Sequence, residues 1–369
     1  MEPEERARTY HRWQFRLASA GWVLTASYLL VLMVTGAAVG LRDALAGMTS
    51  RWWLQLPLAL MALGGAYRVI TLPLRWLSGY WLPRRFGLLH QPLSRWLWDA
   101  TKGALVGGAL GLLAALTVYG LLRVTPRWWL WGAGIFLLGY ALLACVAPIW
   151  LLPLFYRLEP LADGELRARL MRLAEKAGVP VLGVLIADQS TKSRTANAAV
   201  TGLGHTRRIV VFDTLVSEFS ADEVEAVLAH ELAHHLHGDI LRGLLVQGAL
   251  TLATFWAADL GLRVTTQRLG LSGPADLAGL PLFGLLLMAV GLLALPLGNA
   301  WSRHVERQAD DFALRRIDHP TSFIAAMERL GALNLAERDP YFLKELLLHS
   351  HPSIGRRVAR ARALLRPPG

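Results

Sequence analysis

The segment His230-Glu231-Leu232-Ala233-His234 has the residue types and the spacing of a hydrolytic metal site. Histidines at i and i+4 project from one helix face, so both imidazoles can reach a single zinc ion at about 2.0–2.1 Å. Glu231 lies about 100° further round the helix and can reach a water molecule at an open coordination position, as general base. Such a pattern arises by chance in roughly one or two per cent of chains with this histidine content. It therefore favours one zinc ion per chain over a merely solvated polar helix.

Two further histidines near this motif are weaker ligand candidates. A catalytic zinc ion needs a third protein ligand and one open position. An uninterrupted helix carries His237 along the axis, away from a tetrahedral position around the metal. His235 faces another direction, and we interpret it as a surface or bundle contact. The third ligand is therefore expected elsewhere in the chain.

A second cluster, after the last apolar run, offers that ligand. Glu306 and Asp310 share one helix face at i and i+4, and Arg303 precedes Glu306 by three residues. This spacing suits a carboxylate ligand, Glu306, with Asp310 and Arg303 around it and Asp310 orienting a zinc-bound imidazole. With Arg307 included, the same spacing equally suits an exposed helix with surface salt bridges. Spacing alone does not distinguish these two interpretations.

Local signals indicate which elements carry these residues. The sequence Ser220-Ala-Asp-Glu223 is a capping box, which predicts a helix from there to about His237 with Gly238 as terminator. Two β-branched runs, Val181 to Ala187 and Ile209 to Phe212, predict a small antiparallel sheet. The metal motif is thus expected on a helix that follows a small sheet.

Composition places these elements in a membrane protein. The chain has 369 residues, of which 54% are hydrophobic and 18% charged, with a net charge of +11 and one cysteine. Its mean hydropathy is +0.38. Disordered chains have low hydrophobicity, and small secreted scaffolds have many cysteines. An integral membrane protein with a polar part of useful size remains.

About six apolar runs are long enough to span a bilayer, since about 20 helical residues cover its hydrocarbon core of about 30 Å. The first run is longer than a signal-peptide core and lacks a cleavage site, so we interpret it as an uncleaved anchor. The six runs are Trp22 to Val39, Trp52 to Leu74, Gly103 to Leu122, Trp128 to Tyr156, Gly243 to Ala258 and Leu277 to Trp301.

The basic residues predict an orientation. Loops expected on one side carry more Arg and Lys than loops on the other, which places the richer side in the cytoplasm. Both termini and the catalytic part are therefore predicted to be cytoplasmic, in the inner or plasma membrane if the source is bacterial. Because much of the charge is spread over membrane loops, a nucleic-acid partner is not expected. The richer side carries Arg6, Arg8, Arg12, Arg16, Arg75, Arg84, Arg85, Arg95 and Lys102.

The fold class that follows is mainly α: a polytopic α-helical membrane protein with a cytoplasmic zincin-like α+β catalytic part and a small β-sheet. Spans five and six form a hairpin, so the helices of His230 and Glu306 emerge on the same side. The expected division is a four-span membrane region, a catalytic part with the sheet and metal helix, a two-helix hairpin, and a C-terminal catalytic part. These comprise residues 1–156, 157–242, 243–301 and 302–369.

Taken together, these motifs resemble the integral-membrane zinc metallopeptidases typified by the CAAX prenyl protease and the heat-shock protease HtpX. Most of the resemblance is to the CAAX prenyl protease branch, whereas the Gly238-Asp239 pair looks more like HtpX. The segments that carry it are Asn197 with Thr201-Gly202, Arg208 to Thr214, the metal motif, Ser302 to Asp310, and His351-Pro352 with Arg357.

The resemblance implies a role for each matching residue. His230, His234 and Glu306 would bind zinc, and Glu231 would act as base and then as acid. His351 would stabilise the oxyanion. Asn197 would hold the substrate backbone, consistent with strand addition of an extended peptide. Arg357 would support the substrate or the site geometry. The implied partners are the lipid bilayer and protein or peptide substrates, including prenylated C-termini.

Three other functions are weighed against this membrane-embedded zinc endopeptidase. One is an HtpX-like quality-control protease of membrane proteins. Another is a zinc-bound regulatory module without turnover, which the intact Glu231 disfavours because a structural site needs no base. A transporter would place ionisable residues in the middle of its spans, and these runs are nearly free of charge.

Overall fold

The computed structural model describes residues 3–202 and 204–366. In these ranges, six helical runs are long and apolar enough to cross a membrane, as the sequence predicts. Several extend beyond the apolar stretches; the fifth predicted run, Gly243 to Ala258, lies within a much longer helix. The six runs are Glu4–Val34, Trp52–Arg85, Leu93–Val124, Trp128–Phe155, Asp239–Arg268 and Leu277–Arg316.

The first four runs belong to an N-terminal helical region. Two of them contain a five-residue π-helical turn, Leu77–Trp81 and Ala147–Leu151. Pro83 and Pro153 follow these turns by two residues, and a proline has no N–H for the carbonyl four residues before it, which the wider turn accommodates. The helices are α1 (Pro3–Val34), α2 (Ala37–Met48), α3 (Trp52–Trp76), α4 (Leu82–Arg85), α5 (Leu93–Val124), α6 (Trp128–Val146) and α7 (Leu152–Phe155).

The remaining helices belong to the polar part and to the last two membrane runs. The predicted division boundaries 242/243 and 301/302 fall inside the continuous helices α11 and α12, so each membrane run continues directly into the polar part. The helices are α8 (Glu165–Lys176), α9 (Asp213–Glu218), α10 (Ala221–Leu236), α11 (Asp239–Arg268), α12 (Leu280–Arg316), α13 (Thr321–Leu333), α14 (Phe342–Leu348) and α15 (Ile354–Leu365).

A four-stranded sheet lies in the polar part. Its strands are β1 (Leu158–Pro160), β2 (Val184–Ala187), β3 (Ala198–Thr201) and β4 (Arg208–Phe212), in the order β1-β2-β4-β3. The two strands expected to pair antiparallel, β2 and β4, instead pair in parallel. The prediction was wrong because β3 runs back between them in the sequence and pairs antiparallel with β4. Strand β3 is an edge strand of the sheet.

Helix α10, which carries the metal motif, forms the centre of the polar part. The predicted capping box is present: Glu223 N donates to Ser220 Oγ, and Ser220 N donates to the Glu223 carboxylate at 2.7 Å. Leu228 and Leu232 are completely buried. Helix α10 packs against β3, α8, α12 and α13. This packing on several sides fixes its axis and rotation.

Helix α10 ends where the sequence predicts, and the next membrane run starts at once. Gly238 has φ +68°, a left-handed conformation that a residue with a Cβ adopts at a cost. Helix α11 begins at Asp239, immediately after this glycine. Helix α10 is thereby connected to the membrane helix α11 through a turn of two residues, His237 and Gly238.

The loops lie at two separate ends of the helical bundle. At the end that carries the sheet, His11 of α1 hydrogen-bonds the Leu335 carbonyl at 2.8 Å. At the opposite end, Arg42 of α2 forms a 2.9 Å ion pair with Asp276, which precedes α12. The N-terminal part of α1 and the polar part therefore lie at one end of the helical bundle.

Candidate metal centre

Three side chains from two helices converge into a possible metal site. One ligand atom each from His230, His234 and Glu306 lies within 4.8 Å of the others. The two Nε2 atoms are 3.3 Å apart, and His230 Nε2 is 3.2 Å from Glu306 Oε2. His234 Nε2 is 3.8 Å from Glu306 Oε1. A tetrahedron with bonds of about 2.0–2.1 Å separates its ligand atoms by about 3.3 Å, so these spacings suit one small ion.

The polar atoms of this site fit a cation better than they fit each other. Two imidazole Nε2 atoms face one another, which at most one shared proton can satisfy. Glu306 Oε2 is buried and makes no hydrogen bond of acceptable geometry with any described residue. Burial lowers the pKa of His230, but Asp310 and Glu306 outweigh it and raise the pKa to about 9. The site therefore attracts positive charge, as a bound metal ion would supply.

Each ligand histidine is oriented by a carboxylate on its other ring nitrogen. His230 Nδ1 lies 2.9 Å from Asp310 Oδ1, and His234 Nδ1 lies 3.0 Å from Asp239 Oδ2. An Nδ1–H donated to a carboxylate leaves the Nε2 lone pair free for the metal. The contact of Asp310 is the one expected from the sequence.

Asp239 was not predicted as a site residue. It stands outside the HExxH pattern and is the first residue of α11, so helical periodicity does not bring it near His234. The turn at Gly238 does so. The glycine directly after the helix, followed by an acidic residue, is the signal that could have indicated it.

Arg357 closes the site from α15. Its guanidinium binds Asp310 through two bonds, Nε to Oδ2 at 2.9 Å and Nη2 to Oδ1 at 2.5 Å. Nη2 also lies 3.4 Å from His230 Nδ1. The forked pair is buried, so Arg357 fixes the carboxylate that in turn orients His230.

Glu231 directly follows the first of these histidines, and its carboxylate forms no hydrogen bond with any described residue. Burial raises the pKa of this carboxyl above its ordinary value, and His230 and His234 lower it in turn. An acidic group whose pKa is raised binds a proton more readily. This environment suits a group that must accept a proton and release it again.

His351 approaches Glu306 from the C-terminal segment, and Arg303 of α12 contacts the backbone of that segment. His351 Nε2 is 3.2 Å from Glu306 Oε1, and its side chain is 61% exposed. The described contacts of Arg303 are with the segment before His351: Nη1 donates to the carbonyls of Glu345 and His349 at 3.0 and 2.6 Å. Arg303 thus holds the backbone leading to His351 and, among the described residues, forms no hydrogen bond or ion pair with a candidate metal ligand.

Asn197 directly precedes β3, and its side chain forms no hydrogen bond with the three candidate metal ligands within the described residues. Its side chain is exposed, and its Oδ1 accepts from the Ala198 amide at 2.9 Å. It borders an apolar cavity of about 420 Å³ between the outer face of the sheet and the end of the fourth membrane run. Leu151, Phe155 and Phe212 are among the residues that line this cavity.

The other two histidines of α10 have different surroundings. His237 packs its ring edge against Phe312, with centroids 5.8 Å apart, and does not belong to the group of possible ligands. His235, expected as a surface or bundle contact, instead hydrogen-bonds through Nε2 to the Val200 carbonyl of β3 at 2.8 Å. Helical spacing does not indicate this contact, because it depends on the position of the short edge strand β3.

Two family models together match nearly the whole chain. The model described as peptidase family M48 matches residues 160–365. The model described as the CAAX prenyl protease N-terminal region, with five membrane helices, matches residues 2–157. In that second range the described residues contain four of the six runs that could cross a membrane.

Curated proteins with similar sequences carry related names. The "Uncharacterized metalloprotease YhfN" of Bacillus subtilis is 28% identical over 337 residues, which cover 90% of this chain and 79% of that protein. "CAAX prenyl protease 1" of Saccharomyces cerevisiae is 35% identical over 168 residues, or 45% of this chain and 37% of that one. The "CAAX prenyl protease 1 homolog" of Arabidopsis thaliana is 28% identical, covering 80% and 70%.

One solved structure has the same overall fold. The crystal structure of S. mikatae Ste24p superposes with a TM-score of 0.84 and 24% sequence identity. The match covers 98% of this chain and 89% of that chain. The agreement therefore includes both the membrane helices and the polar part with its sheet.

Proposed function

Because this chain belongs to peptidase family M48, it is a membrane-embedded metalloprotease like the CAAX prenyl proteases, and we propose that its metal is one zinc ion held by His230, His234 and Glu306. The observation that carries the proposal is the convergence of these three ligand atoms within 4.8 Å. Two imidazoles and one carboxylate are a common ligand set for catalytic zinc, with a fourth position open for the reaction.

The reaction is hydrolysis of a peptide bond. A zinc ion held by His230, His234 and Glu306 would polarise the scissile carbonyl and lower the pKa of a water molecule toward about 7. Glu231 takes a proton from the attacking water as its oxygen bonds to the carbonyl carbon. As the carbon–nitrogen bond breaks, Glu231 passes that proton to the leaving amine. One water molecule is consumed, and a carboxylate and an amine are formed.

The other predicted site residues support these steps. His351 donates a hydrogen bond to the oxygen that becomes negative in the transition state, which its exposed ring beside Glu306 permits. Asp310 and Arg357 hold His230 in its ligand orientation. Arg303 keeps the segment of His351 in place, and Asn197 contributes to holding the substrate backbone at β3.

The substrates of this membrane protease are proteins or peptides, and we propose prenylated C-termini as the specific class. Relatives named as CAAX prenyl proteases support this choice. The apolar cavity beside Asn197 supports it independently, since an isoprenoid chain needs an apolar surface close to the peptide. An HtpX-like quality-control function would instead favour unfolded membrane proteins.

We further propose that the polar part and both termini are cytoplasmic. The support is the excess of Arg and Lys in the loops of the end that carries the sheet. In this arrangement the two membrane regions position the two catalytic parts. Residues 157–242 supply the two histidines, and residues 302–369 supply Glu306.

A matched substrate panel tests the proposed specificity. Purified protein in detergent is given one CAAX-type peptide with and without its farnesyl group, and an unfolded membrane protein, with Glu231→Gln as the inactive control. We expect the farnesylated peptide to show the highest kcat/KM. Equal kcat/KM for the two peptides, with faster cleavage of the unfolded protein, would favour the quality-control function.

A further inference from the structure

The open edge of β3 presents its backbone groups in a defined pattern. Phe212 N donates to the Asn197 carbonyl, so residues 197, 199 and 201 direct their backbone groups toward β4. In an antiparallel pair the alternate residues direct theirs the other way. The N–H and C=O groups of Ala198 and Val200 therefore point to the open edge, where an extended peptide could pair with them.

Two of these four groups are already occupied within the chain. The Ala198 amide donates to Asn197 Oδ1 at 2.9 Å. The Val200 carbonyl accepts from His235 Nε2 at 2.8 Å. Among the described residues, nothing bonds to the Ala198 carbonyl or to the Val200 amide at this edge. One acceptor and one donor thus remain for a partner strand.

We propose that His235 is a positioning residue that limits how a substrate peptide pairs with β3. Its ring stands at the Val200 carbonyl and takes one lone pair of that oxygen, so Ala198 C=O is the open-edge acceptor left fully free for a peptide N–H. One N–H of the peptide is then hydrogen-bonded to β3 more strongly than the others, and the peptide pairs with the strand in a single register. This inference rests on the proposed function, in which a peptide binds at β3.

The location of His235 explains why this contact matters for the reaction. It directly follows the metal ligand His234 in α10, so the bond to Val200 connects the ligand-bearing helix to the substrate-binding edge. Helix α10 and β3 are in direct contact. A peptide held at Ala198 is therefore held at a fixed distance from the metal ligands, as cleavage at one bond requires.

The bond is not needed to satisfy the strand, because a carbonyl at an open sheet edge can accept from water or from a ligand. Its effect is to remove one docking position. Without it, a peptide could pair with both Ala198 and Val200 carbonyls, whose matching N–H groups lie two residues apart in the peptide. Register would then be less restricted, because strands with several equivalent pairings slip.

N-methylation of a peptide substrate tests this inference. One substrate is prepared as a series in which each backbone N–H in turn is methylated, and KM and kcat are measured for each member. The wild-type protein is compared with His235→Phe, which keeps a ring but cannot donate, and with His235→Gln, whose amide nitrogen can replace Nε2. Zinc content and the thermal midpoint are measured for all three proteins.

We expect one N-methyl position to raise KM in the wild-type protein, by about two- to tenfold for a lost hydrogen bond. His235→Gln should keep this single position. His235→Phe should show a second sensitive position two residues away, with zinc content unchanged. Two such positions in the wild-type protein, or the same pattern in wild type and His235→Phe, would overturn the inference.

The outcomes also separate this inference from the function on which it rests. If the wild-type protein cleaves none of the peptides, the proposed function fails and not the role of His235 alone. If cleavage is normal but His235→Phe loses its zinc, the residue has a structural role in α10 and the register inference is wrong. If a His235 variant does not fold, the series of N-methylated peptides can still be measured with the wild-type protein. That measurement alone can contradict the proposal.

Discussion

At the scale of single residues, the two histidines that we propose as metal ligands are held in the same way from two directions. Asp310 binds the Nδ1 of His230 from the helix that also carries Glu306, and Asp239 binds the Nδ1 of His234 from the start of α11. Asp310 is further fixed by Arg357. The site thus depends on four helices, and orientation of the imidazoles is as important as the presence of the ligands.

The carboxylate of Asp239 is expected to be as important for metal binding as His234, the histidine that it orients. Replacement by Asn removes the charge that favours Nδ1–H on His234, so Asp239→Asn should weaken zinc affinity by about 10- to 100-fold. The affinity is measured by competition with a chelator of known strength. Asp311→Asn is the control, since Asp311 is paired with Arg360 away from the metal. Equal affinities in both variants would contradict this role.

At the scale of elements, helix α10, which carries the metal motif, is short and is fixed at both ends. Helix α10 has 16 residues, begins with a capping box and ends at a left-handed glycine. An isolated helix of this length is marginal in water, so its rigidity comes from the caps and from packing. Because His230 and His234 lie in its last two turns, fraying of the C-terminal end would separate them.

Removal of the N-terminal cap should lower stability without changing the chemistry. Ser220→Ala deletes the acceptor for the Glu223 amide and should cost about 1 kcal/mol. The thermal midpoint should fall by about 2 °C in a chain of this size, with zinc content unchanged. Ser217→Ala is the control, because that exposed hydroxyl bonds only within its own short helix α9. A fall of the same size in the control would show that the cap is not responsible.

At the scale of the whole molecule, charge and hydropathy divide between the two ends of the bundle. The end with the sheet and the candidate metal centre carries the basic N-terminal part of α1 and the short helix α4, which contains Arg84 and Arg85. The other end has fewer basic residues, with the Arg42–Asp276 pair among them. The net charge of +11 is therefore interpreted as a determinant of orientation in the membrane and not as a binding surface for an acidic partner.

This orientation can be measured by labelling with a membrane-impermeant maleimide. Cys145 is first replaced by Ser, since it is the single cysteine of the chain. In intact cells, Ser50→Cys at the less basic end should be labelled. Ser217→Cys at the end with the sheet should react only after permeabilisation. The reverse pattern would show that the catalytic part faces outward.

The sequence predicted those features that depend on local patterns or on the count of spans. HExxH, the capping box and Glu306 could be recognised because each follows helical spacing, and the hairpin of two spans explains why they meet. The parallel pairing of β2 with β4, the bond of His235 to Val200 and the position of Asp239 depend on a four-residue strand and one glycine turn. Such short elements have weak periodicity, so tertiary contacts decide them.

We propose that this protease uses one zinc ion, with Glu231 as base, to cleave a prenylated peptide. It is tested most directly by cleavage of a farnesylated CAAX-type peptide, with zinc quantified in the same samples. We predict about one zinc ion per chain, loss of cleavage with a chelator, and recovery when zinc is restored. Glu231→Gln should keep its zinc and lose at least about 10²-fold in kcat. Cleavage at the wild-type rate by Glu231→Gln, or by protein that contains no metal, would rule out this zinc-dependent mechanism.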